Sequence, residues 1–205
     1  MNGQAPAEWR GLPVPWVVRW SSPVADPGPG VCWRGERLSY WDELPGDRRF
    51  GVLWYRDRID HHGRPRFASV HTGRHLAAMT DHRCQICGCT AVGDGRIEWL
   101  IPCDEWERLT HPANPVWTAT PPCCRACWPS ALRYCPHLCS VGAVAASVAR
   151  VRPAALYGDV YEPGQLTPRK FNAIVSLLAE RELPRLLGKM LIVELDDVRM
   201  EEQPV

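Results

Sequence analysis

Lysine is nearly missing from this chain. Of its 24 basic residues only Lys170 and Lys189 are lysine, so arginine carries the positive charge. An excess of either sign is missing too: 24 basic residues face 23 acidic ones, for a formal net charge of +1. That balance leaves no global field to draw the chain to nucleic acid or to an anionic bilayer, so any such contact has to come from a local patch. There is no stretch of about 18 apolar residues, which excludes a transmembrane helix. Residues 1–10 lack the basic-then-apolar order of an export signal, and a cytoplasmic location is expected.

Cysteine, tryptophan and proline are plentiful, at 10, 10 and 20 of 205 residues. With 45% hydrophobic residues the chain can fill one large core or two small ones. Ten cysteines in a short secreted chain would mean disulfides, but this chain is long and has no export pattern. In a reducing compartment Cys-x-x-Cys pairs read as metal ligands. Two such pairs are present, Cys84-Gln85-Ile86-Cys87 and Cys124-Arg125-Ala126-Cys127. Two thiolates from a tight turn at Gly88 take one edge of a tetrahedron, and two from a helix start take the other, the donor set of a structural zinc ion. The free N–H groups of a helix start also favour thiolates. Four thiolates leave no open position for water, so the expected Zn2+ is structural. A thioredoxin-like redox pair needs a following helix, whereas Gly88, Gly93 and Gly95 follow Cys87.

Taken in order, residues 1–30 hold six prolines and exclude a long helix. Short strands are expected at 16–20 and 31–34. The aromatic, β-branched run at 50–55 and the run at 66–70 read as one β-hairpin, with His61-His62-Gly63 at its turn. A short helix is expected at 72–79, a strand at 96–102, a proline-rich loop at 112–122 and a helix at 128–134. The small apolar stretch 141–151 fits strand or helix, and 154–161 reads as a strand. Thr167-Pro168 has the chemistry of a helix start, and Phe171, Ile174, Val175 and Leu178 follow with helical spacing. A last strand is expected at 190–195, before an acidic tail. The fold class is therefore α+β: a β-rich part at 1–78, a zinc-binding part at 79–140 and an αβ part at 141–205, joined as one unit.

A turn with Cys84 and Cys87, a hairpin, then a helix carrying Cys124 and Cys127 is the order of a treble clef. This stretch resembles the HNH endonucleases, whose members carry Cys-x-x-Cys-Gly, then Asp-His-Ile-x-Pro on a strand, then Cys-x-x-Cys-His. Cys84, Cys87, Gly88, Ile101-Pro102, Cys124 and Cys127 fit the resemblance. The positions that would hold Asp-His are Trp99 and Leu100 here, and the final histidine is Trp128. Such nucleases need histidine as general base and a histidine or carboxylate for a divalent ion. The resemblance thus implies the fold and argues against the activity. Residues 11–138 also resemble a group of actinobacterial and phage proteins, through Gly11-Leu12-Pro13-Val14-Pro15, Gly51-Val52-Leu53-Trp54, Cys84-Gln85-Ile86-Cys87-Gly88 and Cys135-Pro136-His137-Leu138. That likeness implies no mechanism.

Other residues offer further sites. Cys103, Cys135, His137 and Cys139 are candidate ligands of a second metal, against the bland alternative of buried thiols packing as small apolar groups. His61, His62, His71, His75 and His82 fall close together, near Asp57 and Asp81. No spacing among them defines a ligand set, but an enzyme reading, either a diverged nuclease or a small-molecule tailoring enzyme with a tryptophan-lined pocket, would use them. Arg56, Arg58, Arg64, Arg66 and Arg74 lie among Trp54, Tyr55 and Phe67, a mix able to hold phosphates and stack bases. The leading expectation is a non-catalytic binding or regulatory protein stabilised by zinc, with a protein or nucleic-acid partner and no membrane association.

Overall fold

In the computed structural model, which describes residues 7–21, 30–57, 63–111 and 113–202, short strands precede two very long ones. The chain opens with β1 (Ala7–Trp9), β2 (Leu12–Val14) and β3 (Val18–Ser21). β4 (Val31–Arg34) and β5 (Arg37–Tyr40) form a hairpin, followed by β6 (Arg48–Arg49), β7 (Val52–Trp54) and β8 (Arg64–Val70). Then come α1 (Thr72–Thr80), β9 (Val92–Gly93), β10 (Arg96–Pro102), α2 (Cys103–Thr110) and β11 (Trp117–Thr118). Two short helices, α3 (Trp128–Tyr134) and α4 (Pro136–Val141), lead into β12 (Ala143–Tyr161), β13 (Pro168–Ser176) and β14 (Leu186–Met200). The result is a mixed, strand-rich α+β protein. Among the described residues no helix is long and apolar enough to cross a membrane.

One sheet of eight strands runs in the order β6-β7-β14-β12-β10-β9, with β11 also on β14 and β13 also on β12. It takes strands from residues before 79, from 79–140 and from beyond 141. The antiparallel β12–β14 ladder is its spine, and each end of β12 has its own further partner: β10 at 143–148 and β13 at 155–161. Bulges at Pro153 and at Tyr157-Gly158 let one strand turn from one partner to the other. At the second bulge the backbones close in, and a Cβ on Gly158 would lie 2.2 Å from the Leu187 carbonyl oxygen. Gly158→Ala is expected to lower unfolding free energy by about 3 kcal/mol, measured by denaturant titration.

β10 is buried on both faces. Ile97, Trp99 and Ile101 enter the main core with Val148, Leu156, Leu191 and Val193. Leu100 points the other way, into a second core of Cys84, Ala91, Cys123, Trp128, Ala131, Ala143 and Ala145. This alternation is the period-2 consequence of a strand wedged between two layers.

Several expectations need correction. The 50–70 hairpin does not form. Phe50 (φ 57°) and Gly51 (φ 75°) make a two-residue turn, so β7 folds back on β6, and its other edge pairs in parallel with β14. β8 instead pairs with β3; His61 and His62 lie outside the described residues. The helix expected after Thr167-Pro168 is the strand β13. Of its helically spaced residues only Val175 is buried, while Phe171, Ile174 and Leu178 are exposed, so no apolar stripe forms. Pro168 sits near the strand's start, opposite Tyr161, and among the described residues β13 pairs with β12 alone, a position where a missing N–H is tolerated. The C-terminal part is accordingly strand-built: apart from the end of α4, its described helix is one 3-10 turn at Leu183–Arg185.

Candidate metal centre

The sulfurs of Cys84, Cys87, Cys124 and Cys127 all lie within 4.8 Å of one another. Cys87 Sγ and Cys124 Sγ are 3.8 Å apart, which matches the edge of a tetrahedron whose Zn–S arms are about 2.3 Å. All ten cysteines are free thiols.

Local structure explains the gathering. In the first turn the Gly88 amide donates to the Cys84 carbonyl (2.8 Å), and the Cys84 amide to the Cys89 carbonyl (2.7 Å). Gly88 adopts φ 73°, and any Cβ there would meet the Trp16 ring at 3.0 Å. The chain before β3 clamps the turn from outside: Trp16 and Val17 amides donate to the Ile86 and Gln85 carbonyls. On the other side the Gln85 amide donates to Pro122, tying it to the segment that delivers the second pair. There the Cys127 amide donates to the Cys124 carbonyl in a 3-10 turn that continues into α3. The Trp128 indole donates to the Cys123 carbonyl (2.8 Å), and Arg125 lies over its ring and pairs with Glu201.

The electrostatics favour a cation. Hydrogen bonds from Cys123, Cys124 and Cys127 pull the Cys84 thiol far below its ordinary range. Its neighbours move the other way: hydrogen bonding to Cys124 and Cys84 pushes Cys127 far up, and burial pushes Cys87 up. Four sulfurs this close do not all ionise unaided, and a dication makes the tetrathiolate favourable. The residues therefore fit a four-sulfur metal ion.

The second set of candidate ligands does not converge. Among the described residues no other group of three such donor atoms gathers in this way. Cys103 Sγ lies against Gly142, His137 Nε2 is 3.5 Å from Asp104, and Cys139 Sγ donates to the Leu132 carbonyl. The short α4 turns its polar groups to different neighbours.

Trp99 and Leu100, at the positions where HNH enzymes carry Asp-His, are buried, with the Trp99 indole donating to the Thr120 carbonyl. Two of the candidate histidines, His71 and His75, make contacts that hold the fold. His71 caps α1 by accepting from the Arg74 amide, and buried His75 holds the Ala119 carbonyl through Nε2 at 2.8 Å. Burial lowers the His75 pKa to about 4. A base that is neutral when folded binds fewer protons than the unfolded chain, so stability falls as pH drops from about 6.5 through about 4, by about 3 kcal/mol in all. The ring resonances of His75 are expected to hold still between pH 8 and 5 in an NMR titration.

The candidate nucleic-acid contacts fall in different settings. Arg56 is held by Asp47 and Asp42 and covers the Tyr40 ring, and Arg74 donates to the Trp16 and Val18 carbonyls. Arg64 and Arg66 are exposed on β8, and Arg58 lies outside the described residues.

A cleft that the sequence reading did not single out lies where β3 and β8 meet β12 and β14. Its volume is about 590 Å³, and it is lined by Arg19, Tyr55, Asp57, Tyr157, Asp159, Tyr161, Phe171 and Lys189, with no tryptophan. The sequence signal was the alternation Tyr157-x-Asp159-x-Tyr161 on an expected strand, which aims three polar side chains at one face.

Comparison with protein-family models, with curated proteins and with solved structures finds no match to this chain.

Proposed function

We propose that this chain is a zinc-stabilised binding protein without catalytic chemistry, working in the reducing environment of the cytoplasm. Zn2+ held by Cys84, Cys87, Cys124 and Cys127 joins the segment before β9 to the segment before α3, and a treble clef of HNH type that has lost its catalytic residues is the arrangement we assign. The observation that carries this reading is the packing of four sulfurs within 4.8 Å, with no histidine or carboxylate among them. A tetrathiolate ion has no open coordination position, so it holds structure and activates no water. Buried Trp99 and Leu100 support the same reading, since neither takes a proton nor holds a metal at a phosphate.

Metal analysis of the purified protein is expected to give one zinc per chain. Incubation with DNA and RNA in the presence of Mg2+ or Mn2+ is expected to give no cleavage. Cleavage abolished by His71→Ala, or protein folded with no metal, would overturn the proposal.

A further inference from the structure

We infer that the cleft between the β3–β8 ladder and the β12–β14 face binds a small organic carboxylate with a planar apolar body. The inference rests on the reading of this chain as a binding protein and names its ligand class.

The donors come first. Tyr161 is 2% exposed and lines the cleft, and among the described residues its hydroxyl has no hydrogen-bond partner. Among the described residues the buried side-chain atoms left without a hydrogen bond are Asp57 Oδ1 and His75 Nδ1 and not this oxygen, so the small exposed part of Tyr161 includes its hydroxyl, which opens on the cleft and can donate to an acceptor that enters. Burial, Asp159 and Tyr55 raise the Tyr161 pKa to about 12, so the hydroxyl keeps its proton to donate. The Tyr157 hydroxyl, four residues away on the same strand and lining the same cleft, likewise has no partner among the described residues. Lys189 Nζ donates to Asp159 Oδ1 at 2.8 Å and to Asn172 Oδ1 at 3.1 Å, which leaves its third N–H for the cleft.

Charge sets the ligand's valence. The Lys189 and Arg19 side chains are each 29% exposed, while the carboxylates paired with them, Asp159 and Asp57, are 10% and 1% exposed. All four line the cleft, and in each pair the cation is the more exposed partner. A single negative charge meets the cations first, whereas a multiply charged anion is repelled by both buried carboxylates. The rim supplies the apolar contact: Phe171 and Leu166 line it with 66% and 60% of their surface exposed. A cavity of this size suits one or two fused rings.

The test uses the full chain as purified, with its zinc content measured on the same sample. Benzoate, 4-hydroxybenzoate and indole-3-carboxylate are titrated by ligand-observed NMR, beside the three corresponding neutral amides and phenyl phosphate. At least one carboxylate is expected to saturate with a Kd of about 1 mM or below, a range open to ligands of this size. Its amide and phenyl phosphate are expected to bind more weakly. Tyr161→Phe and Lys189→Gln are each expected to weaken binding about tenfold, as loss of one hydrogen bond to a charged group does, with the Tyr161→Phe melting temperature unchanged. The inference is overturned if no carboxylate saturates by about 10 mM, far beyond that range. It is overturned equally if amides bind as well, or if both variants bind like the parent. Zinc bound with no carboxylate binding removes this inference alone. Carboxylate binding by folded, zinc-free protein removes the zinc reading alone.

Discussion

Cys84→Ser and Cys127→Ser are each expected to abolish the cooperative thermal transition of the central region, and chelation of the parent protein to do the same. The second core shows why. Besides Leu100 and Trp128 its buried members are Cys84, Cys123 and four alanines, all small side chains, and Ile86, Leu132 and Leu138 pack on it only half-buried, so it has modest apolar area to hold itself together. Structural zinc supplies about 10–16 kcal/mol of apparent binding free energy in small zinc domains, as much as the whole stability of an ordinary domain. Loss of one thiolate forfeits most of that. Circular dichroism melting reads the effect. Cys139→Ser is the control: this thiol is exposed and lies outside the four-sulfur cluster, so the substitution is expected to leave the melting curve in place. Equal melting of Cys84→Ser and the parent would contradict the metal's structural role.

Trp99→Ala is expected to cost about 4 kcal/mol, the range for emptying a large aromatic site in a packed core. Trp99 is fully buried in the middle of β10, facing the main core, while its neighbour Leu100 faces the second. Truncation also leaves the Thr120 carbonyl without its 2.8 Å donor, which adds to the cost. Trp41→Ala, at a site 77% exposed, is expected to change stability by no more than about 0.5 kcal/mol. Urea titration of the two variants gives the contrast directly. Equal midpoints would mean that β10 is not the wall between two cores.

Legibility in the sequence tracked the range of the interactions. The cysteine turns, the helices at 72–80 and 128–134 and the strand at 96–102 are set by residues within a few positions of one another, and their chemistry is readable in order. Strand partnership was not. β7 pairs with Leu187 and Gly188, more than a hundred residues on, and nothing near Val52 announces it. Phe50-Gly51 misled because an aromatic residue at positive φ is an uncommon turn former. Phe171, Ile174, Val175 and Leu178 matched a helical period by position while the neighbouring strand β12 imposed a strand. The stretches 141–151 and 154–161 read as separate elements, but β12 runs through both, with a bulge at Pro153. The cleft was hidden for the same reason as the pairings: its walls come from residues 19, 55–57, 157–161 and 187–190, which only the folded sheet brings together.

X-ray absorption at the zinc edge of the purified protein tests the central claim most directly. Four sulfur neighbours at about 2.3 Å and no lighter ligand are the result expected. A site with nitrogen or oxygen in the first coordination sphere, or protein that is folded and metal-free with its cysteines oxidised in pairs, would contradict it.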